Sequence, residues 1–247
     1  MQLNICSDYQ HLSDTVADQM VALLRKKPTA LICMASGSSP KGCSASFVEK
    51  LKAGEADGSS FFFIGLDEWV GLPPQLPGSC AHDFETRLFQ PLAMPSARYH
   101  LFNGMAHDLQ QECVTMDQLI AEKGGIDLAI VGIGLNGHIG FNEPGSDPAW
   151  QSHVADLEAG TIATGQQKYF SEPVQLQKGI TIGLDHLGNA KQVILIANGE
   201  SKASIIKRAV EGPVQPELPA SIVQRWPHAT VVVDRAAAAL LQGNAGT

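Results

Sequence analysis

Asn136, His138 and Glu143 stand close together in GIGLNGHIGFNEPGS, residues 132–146, spaced by glycines. Imidazole is the side chain best matched to proton transfer near neutral pH, and a carboxylate nearby in the chain can orient it. The glycines let the backbone turn sharply and approach a ligand. The stretch follows the apolar run IDLAIV (126–131), so the loop leaves the end of an expected buried strand. Residues 132–137 also satisfy G-x-G-x-x-G, but a dinucleotide fingerprint needs a helix to begin within the glycines. Pro144 and Gly145 follow instead, and a dinucleotide site is not expected. Zinc has little support, with neither H-E-x-x-H nor a cysteine pair present, and no metal is expected.

Two more segments carry comparable chemistry. Asp67 and Glu68 directly follow the apolar run FFFIGL (61–66), which would anchor both carboxylates at the end of a rigid strand, where burial can raise a pKa. Of the two, Glu68 is the one expected to be structural. Ser36, Gly37, Ser38 and Ser39 lie between the apolar run ALICMA (30–35) and a helix with Pro40 at its start. Small hydroxyls, exposed N–H groups and a helix N-terminus suit an anion such as phosphate, although no Walker G-K-[ST] follows. Lys202 sits in the first turn of a helix expected after VILIA (193–197), where a cation opposes the helix dipole and makes sense beside a bound anion.

These residues need a scaffold that brings them to one edge. Leu12, Val16, Met20 and Leu24 mark a helix over 9–27, closed by Arg25-Lys26-Lys27 and Pro28. The first strand is expected only from about residue 29. Ser79 is placed to cap a helix carrying Phe84 and Leu88. Leu109, Cys113, Met116 and Ile120 form a further helix face ending at Gly124-Gly125. Continuous apolar strands alternating with helices predict an α/β fold: a single Rossmann-like domain over 1–247, with a mostly parallel sheet and helices on both faces. Residues 142–178, polar and rich in Gly and Gln, are the least structured by this reading and suit a lid. Ligands of such sheets bind beyond the carboxyl ends of the strands, where all three segments fall.

Composition narrows the partners. A net charge of −8 from 17 basic and 25 acidic residues speaks against nucleic acid. No apolar run is long enough to span a membrane, and MQLNICSDYQ lacks the pattern of a secretory signal. Five cysteines without a C-x-x-C pair fit a cytoplasmic protein with reduced thiols.

LDEWVGLP (66–73), GIGLNGHIGFNEPG (132–145) and the SGSSP loop (36–40) together resemble the glucosamine-6-phosphate deaminase/isomerase family, part of a wider group with 6-phosphogluconolactonases. The resemblance runs over nearly the whole chain in the same order, and the NEP ending favours the deaminase side over the lactonases. LPGSC (76–80) and KGGIDLAIVGIGLNGHIGFNEPG (123–145) look most like the bacterial galactosamine-6-phosphate branch. QSHVADL (151–157) carries His153 and lacks the arginine of the S-R-T segment typical of glucosamine enzymes, so galactosamine 6-phosphate is the preferred expectation and glucosamine 6-phosphate the alternative.

The resemblance implies roles residue by residue. Asp67 would move a proton between C2 and C1 of an open-chain sugar. His138 would assist ring opening, tuned by Glu143 and by Asn136, which stands where many members have Asp. Ser36, Gly37, Ser38 and Lys202 would hold the phosphate, with Ser39 beside them. Lys168 of QKYF would stand where some relatives have an arginine. No cofactor is implied, because ammonia leaves by hydrolysis of an imine. The partner would be a small sugar phosphate, and the family's monomers and hexamers leave a homo-oligomer open. A lactonase on the same fold is the rival, and a non-catalytic sugar-phosphate sensor a remote one.

Overall fold

Seven short strands, most of them apolar throughout, build the central sheet of the computed structural model, which describes residues 1–242; the last five residues of the expected domain lie outside that range. In chain order these strands are β1 (Gln2–Cys6), β2 (Leu31–Met34), β3 (Phe62–Gly65), β5 (Tyr99–His100), β6 (Leu128–Gly132), β9 (Val193–Ala197) and β10 (Ala229–Asp234). They lie in the order β1-β10-β9-β6-β2-β3-β5, each pair parallel. Alternate residues of a strand face opposite sides, so β2 sends Leu31 and Cys33 into one core and Ile32 and Met34 into the other. Helices α1 (Tyr9–Lys26) and α2 (Ser38–Lys52) cover the second core with Leu12, Val16, Met20 and Phe47. On the opposite face, α4 (Leu109–Glu122) and α7 (Ala203–Glu211) contribute Cys113, Met116, Ile205 and Ile206. The expected α/β architecture, with helices on both faces of a parallel sheet, is the one observed.

The strand order sets the position of the site. From β2 the chain moves outward through β3 to β5, and it returns with β6 on the other flank of β2. The connections leaving β2 and β6 therefore diverge, and divergence of this kind opens a crevice at the carboxyl edge.

A second sheet borders the crevice. Its strands β4 (Asp67–Trp69), β7 (His153–Asp156) and β8 (Lys178–Thr181) run antiparallel in the order β4-β8-β7. Only Leu66 separates β3 from β4: its N–H donates to Met34 O in the main sheet, and its carbonyl accepts Ile182 N beside the small sheet. Asp67 is thus fixed where the chain steps from one sheet to the other.

Two expectations are corrected. The first strand is β1 at residues 2–6, not one starting near residue 29. It is an edge strand with Gln2, Leu3 and Asn4 all exposed, so it lacks the continuous apolar character that reveals the interior strands. The segment 142–178 is also more regular than its composition suggests, since it contains β7 and the helix α5 (Ala159–Tyr169). The buried face of α5 consists of Thr161 and Gly165, which no hydrophobic periodicity can display; Gly165 is small because a Cβ there would lie 2.6 Å from the Trp69 ring. All five cysteines are free and buried, and no described helix is long and apolar enough to cross a membrane.

Candidate active site

A cavity of about 660 Å³ opens at the carboxyl edge of the sheet, walled by the segments after β2, β3 and β6, by α5 and by Lys202 beyond β9. Nine of the residues singled out from the sequence line it: Ser36, Gly37, Ser38, Ser39, Asp67, Asn136, His138, Lys168 and Lys202. Glu143 and Glu68 stand just behind the wall, each in contact with a lining residue.

Glu68 is 3% exposed, and its carboxylate accepts three backbone N–H groups, from Trp69 (2.8 Å), Cys80 (3.0 Å) and Ala81 (2.7 Å). It ties β4 to the start of helix α3 (Cys80–Phe84), whose N-cap is Ser79. That is the structural task expected of it. Asp67 has a different environment. Its carboxylate is met by the Cys80 thiol at 3.8 Å, and burial, followed by the charge of Glu68, pushes it up to about 7. A carboxylate with that pKa can both take and return a proton at neutral pH.

Opposite lies the glycine-rich loop. His138 O accepts Gly134 N at 3.0 Å, and a Cβ on Gly134 would fall 2.3 Å from Nε2 of the imidazole. The ring therefore packs directly on the glycine backbone. Its Nδ1 faces Glu143 Oε2 at 3.4 Å and Thr161 Oγ1 at 3.3 Å. Asn136 closes the group: Nδ2 donates to Glu143 Oε2 (2.6 Å) and Glu158 Oε2 (2.8 Å), and Oδ1 accepts His138 N (3.1 Å). Burial raises the Glu143 carboxyl, but the contacts from His138, Thr161 and Asn136 outweigh it and leave the pKa below the usual value. Glu143 stays anionic beside the imidazole.

The third part is the turn from β2 into α2. Gly37 has φ +99°, a conformation that favours glycine, and a Cβ there would approach the Tyr169 hydroxyl to 2.9 Å. Tyr9 Oη donates to the Ser38 carbonyl (2.8 Å) and accepts Gly42 N (2.8 Å), and Ser39 Oγ donates to Asn198 Oδ1 (2.7 Å). Lys202 occupies a short 3-10 turn, Glu200–Lys202, at the N-cap of α7, and its ammonium donates to the Ile133 carbonyl. Burial, and then the charge of Lys168, push Lys202 down to about 8. Two ammonium groups sharing one cavity wall would both be relieved by an anion between them.

His153, by contrast, lies outside the cavity. It belongs to β7, with Nδ1 2.9 Å from Gln151 O and its ring edge-on to Trp150. The departure in QSHVADL therefore carries no contact in the cavity wall. Several lining residues escaped sequence reasoning: Thr161 and Tyr169 of α5, Cys80, and the pair Asp83 and Arg87. Thr161, like Glu158 beside the loop, falls in the polar segment where no periodicity marks a buried face. Among the described residues, no three or more His, Cys, Asp or Glu side chains converge as metal ligands.

Known proteins resemble this chain over almost its full length. The sequence pattern of one family, described as glucosamine-6-phosphate isomerases/6-phosphogluconolactonase, matches residues 8–232. A protein of Rhodopirellula baltica named glucosamine-6-phosphate deaminase is 39% identical over 246 residues, covering 99% of this chain and 98% of its own length. One of the same name from Thermoanaerobacter pseudethanolicus is 34% identical over 241 residues, covering 98% and 95%. Among solved structures, a monomeric glucosamine-6-phosphate deaminase superposes with a TM-score of 0.93 at 31% identity, over 97% of this chain and all of that one. The 6-phosphogluconolactonase of Thermotoga maritima shares the fold, with a TM-score of 0.75 at 19% identity over 94% of this chain and 98% of that one.

Proposed function

The chain belongs to the glucosamine-6-phosphate isomerase/6-phosphogluconolactonase family, and from that premise we propose that it converts a hexosamine 6-phosphate to a ketose 6-phosphate and ammonia. The observation that carries this reading is the meeting, across one cavity, of a carboxylate with a pKa of about 7, a carboxylate-backed imidazole and two ammonium groups.

In this reading Lys202, Lys168 and the turn Ser36–Ser39 hold the phosphate, remote from the reacting carbons, and fix the sugar's direction in the cavity. His138 keeps Nδ1 against Glu143 and uses Nε2 to move the proton that opens the pyranose ring to the aldehyde. Glu143 and Asn136 set its orientation, with Thr161 as a further partner. Asp67 then takes the proton from C2 and returns it to C1. The C2–H electron pair forms the C1=C2 bond of an enolamine as O1 takes up a proton to become a hydroxyl, and when C1 is protonated the amine nitrogen gives up a proton in return and is left as a C2 imine. Water adds to that imine, the C–N bond breaks and ammonia leaves, so atoms and electrons balance without an added oxidant or reductant. The segment 142–178 closes over the sugar, with Thr161, Thr164, Gly165 and Lys168 of α5 as the moving wall.

For the C4 epimer, the names of the relatives support glucosamine 6-phosphate as the first substrate to test. The main ground for galactosamine, the segment holding His153, makes no contact in the cavity, and the relatives' names carry the other epimer, so the galactosamine preference lacks support. The test is turnover in deuterium oxide with nuclear magnetic resonance of the ketose product. Deuterium at C1, at less than one atom per molecule, is expected for a carboxylate that shuttles the C2 proton while exchanging with solvent. A ketose carrying no C1 label and showing no direct transfer from a C2-deuterated substrate would exclude Asp67 in this role.

A further inference from the structure

One ion pair in the cavity wall is left unused by this mechanism, and it grips the peptide of Gly37. Asp83 lies in α3, and Arg87 follows one turn later in a π-helical turn, Glu85–Phe89. The guanidinium binds the carboxylate twice, Nη1 to Oδ2 at 3.1 Å and Nη2 to Oδ1 at 2.8 Å. Nη1 also donates to the Gly37 carbonyl at 3.3 Å, and the Gly37 N–H faces Asp83 Oδ2 at 3.4 Å. Both side chains line the cavity together with Lys168 and Lys202, and they are 20% and 31% exposed.

The cavity wall thus carries three cations, Arg87, Lys168 and Lys202, and Arg87 stands beside the Gly37 N–H and one carboxylate, that of Asp83. That carboxylate accepts from the very groups, a guanidinium and the Gly37 N–H, that would suit a phosphate. We propose that Arg87 is a third phosphate-binding cation, and that Asp83 competes with the substrate's phosphate for Arg87 and for the Gly37 N–H. The inference rests on the hexosamine 6-phosphate reading and adds a source of selectivity to it. A phosphate dianion outcompetes a single carboxylate for a guanidinium because it brings more charge and more acceptor oxygens. A sugar with a plain hydroxymethyl group offers Arg87 no charge and leaves the Asp83–Arg87 pair intact. The carboxylate therefore moderates affinity for the phosphate alone, and Arg87 carries the added preference for a phosphorylated sugar.

The two partners should act with opposite signs. Calorimetric titration of the whole protein with inorganic phosphate is compared for wild type, Arg87→Met and Asp83→Asn, each checked for a wild-type-like melting transition. Loss of Arg87 is expected to weaken phosphate binding about tenfold, the scale of one charge-assisted hydrogen bond. Loss of the Asp83 charge is expected to tighten it about threefold, as removal of a like charge near the ligand would. Asp83→Ser replaces the asparagine variant if that one does not fold. Weakening by both substitutions would mean that the pair only holds the turn, and unchanged affinity in both would mean that it has no part in binding; either overturns the inference. Those results with wild-type turnover intact leave the proposed function standing. A wild type that neither binds phosphate nor releases ammonia from a hexosamine 6-phosphate removes both together.

Discussion

Asp67→Asn should abolish turnover and, at the same time, stabilise the protein. The carboxyl is held at about 7 in the folded chain against 3.8 for a free aspartate, so the folded state binds the proton more tightly than the unfolded one. For a group whose folded pKa is raised, the favourable contribution is intact below about 3.8 and is lost as pH rises through about 7. Three units at about 1.4 kcal/mol each set a ceiling near 4 kcal/mol on the cost of keeping Asp67 ionised. The carboxylate stands at a cavity wall that water can reach, which screens the charge, so roughly 1–3 kcal/mol is the expected cost above pH 7. Asparagine is nearly isosteric and uncharged, and it also removes the repulsion toward Glu68. At about 2–4 °C per kcal/mol for a chain of this size, the variant should melt roughly 2–10 °C above wild type at pH 8. The gap should narrow steadily toward pH 5. The assay is differential scanning calorimetry of both proteins across that range, alongside ammonia release and phosphate titration, with phosphate binding expected to survive. A variant no more stable than wild type at pH 8, a gap that does not change with pH, or retained turnover would refute the reasoning.

The pH profile follows from two groups of opposite sign. Asp67 must be ionised, so kcat/KM should fall about tenfold per unit below pH 7, while loss of charge on Lys202 weakens phosphate binding above about 8. The profile of kcat/KM is therefore a narrow bell, and kcat loses the upper limb because bound phosphate keeps Lys202 charged. Lys202→Met should raise KM by about tenfold or more with a smaller effect on kcat, read from steady-state kinetics with glucosamine 6-phosphate. Gly134→Ala places a methyl 2.3 Å from His138 Nε2 and must push the ring off Glu143, so kcat should drop on the order of a hundredfold while melting changes little. If 142–178 closes over the sugar as one part of a single domain, phosphate should slow amide exchange in α5, and calorimetry should show one unfolding transition.

The interior of the fold was legible because its strands are apolar at nearly every position. IDLAIV, VILIA and ATVVV became β6, β9 and β10 within two residues at either end. The same rule hid β1, whose outer residues face solvent, and β7, whose residues are all partly or fully exposed. Helix α5 was hidden for a different reason, since Thr161 and Gly165 are buried for contact with His138 and Trp69 and not for hydrophobicity. At the site, Asn136, His138 and Glu143 announced themselves by clustering among glycines. The resemblance alone supplied Lys168; Thr161 has its partners far off in the chain, and Asp83 and Arg87 read as an ordinary ion pair one helical turn apart, whose contact with Gly37 is distant in sequence. Sequence spacing shows what one loop can do, whereas the cavity is assembled from six stretches of chain that the fold brings together.

The central claim is tested most directly by supplying the purified protein with glucosamine 6-phosphate and galactosamine 6-phosphate in separate reactions, and measuring ammonia and ketose phosphate in each. Ammonia and ketose phosphate are expected in equal amounts, with glucosamine 6-phosphate the better substrate. Ammonia from neither, with hydrolysis of a phosphorylated sugar-acid lactone instead, would contradict the claim and move the chain to the lactonase side of its family.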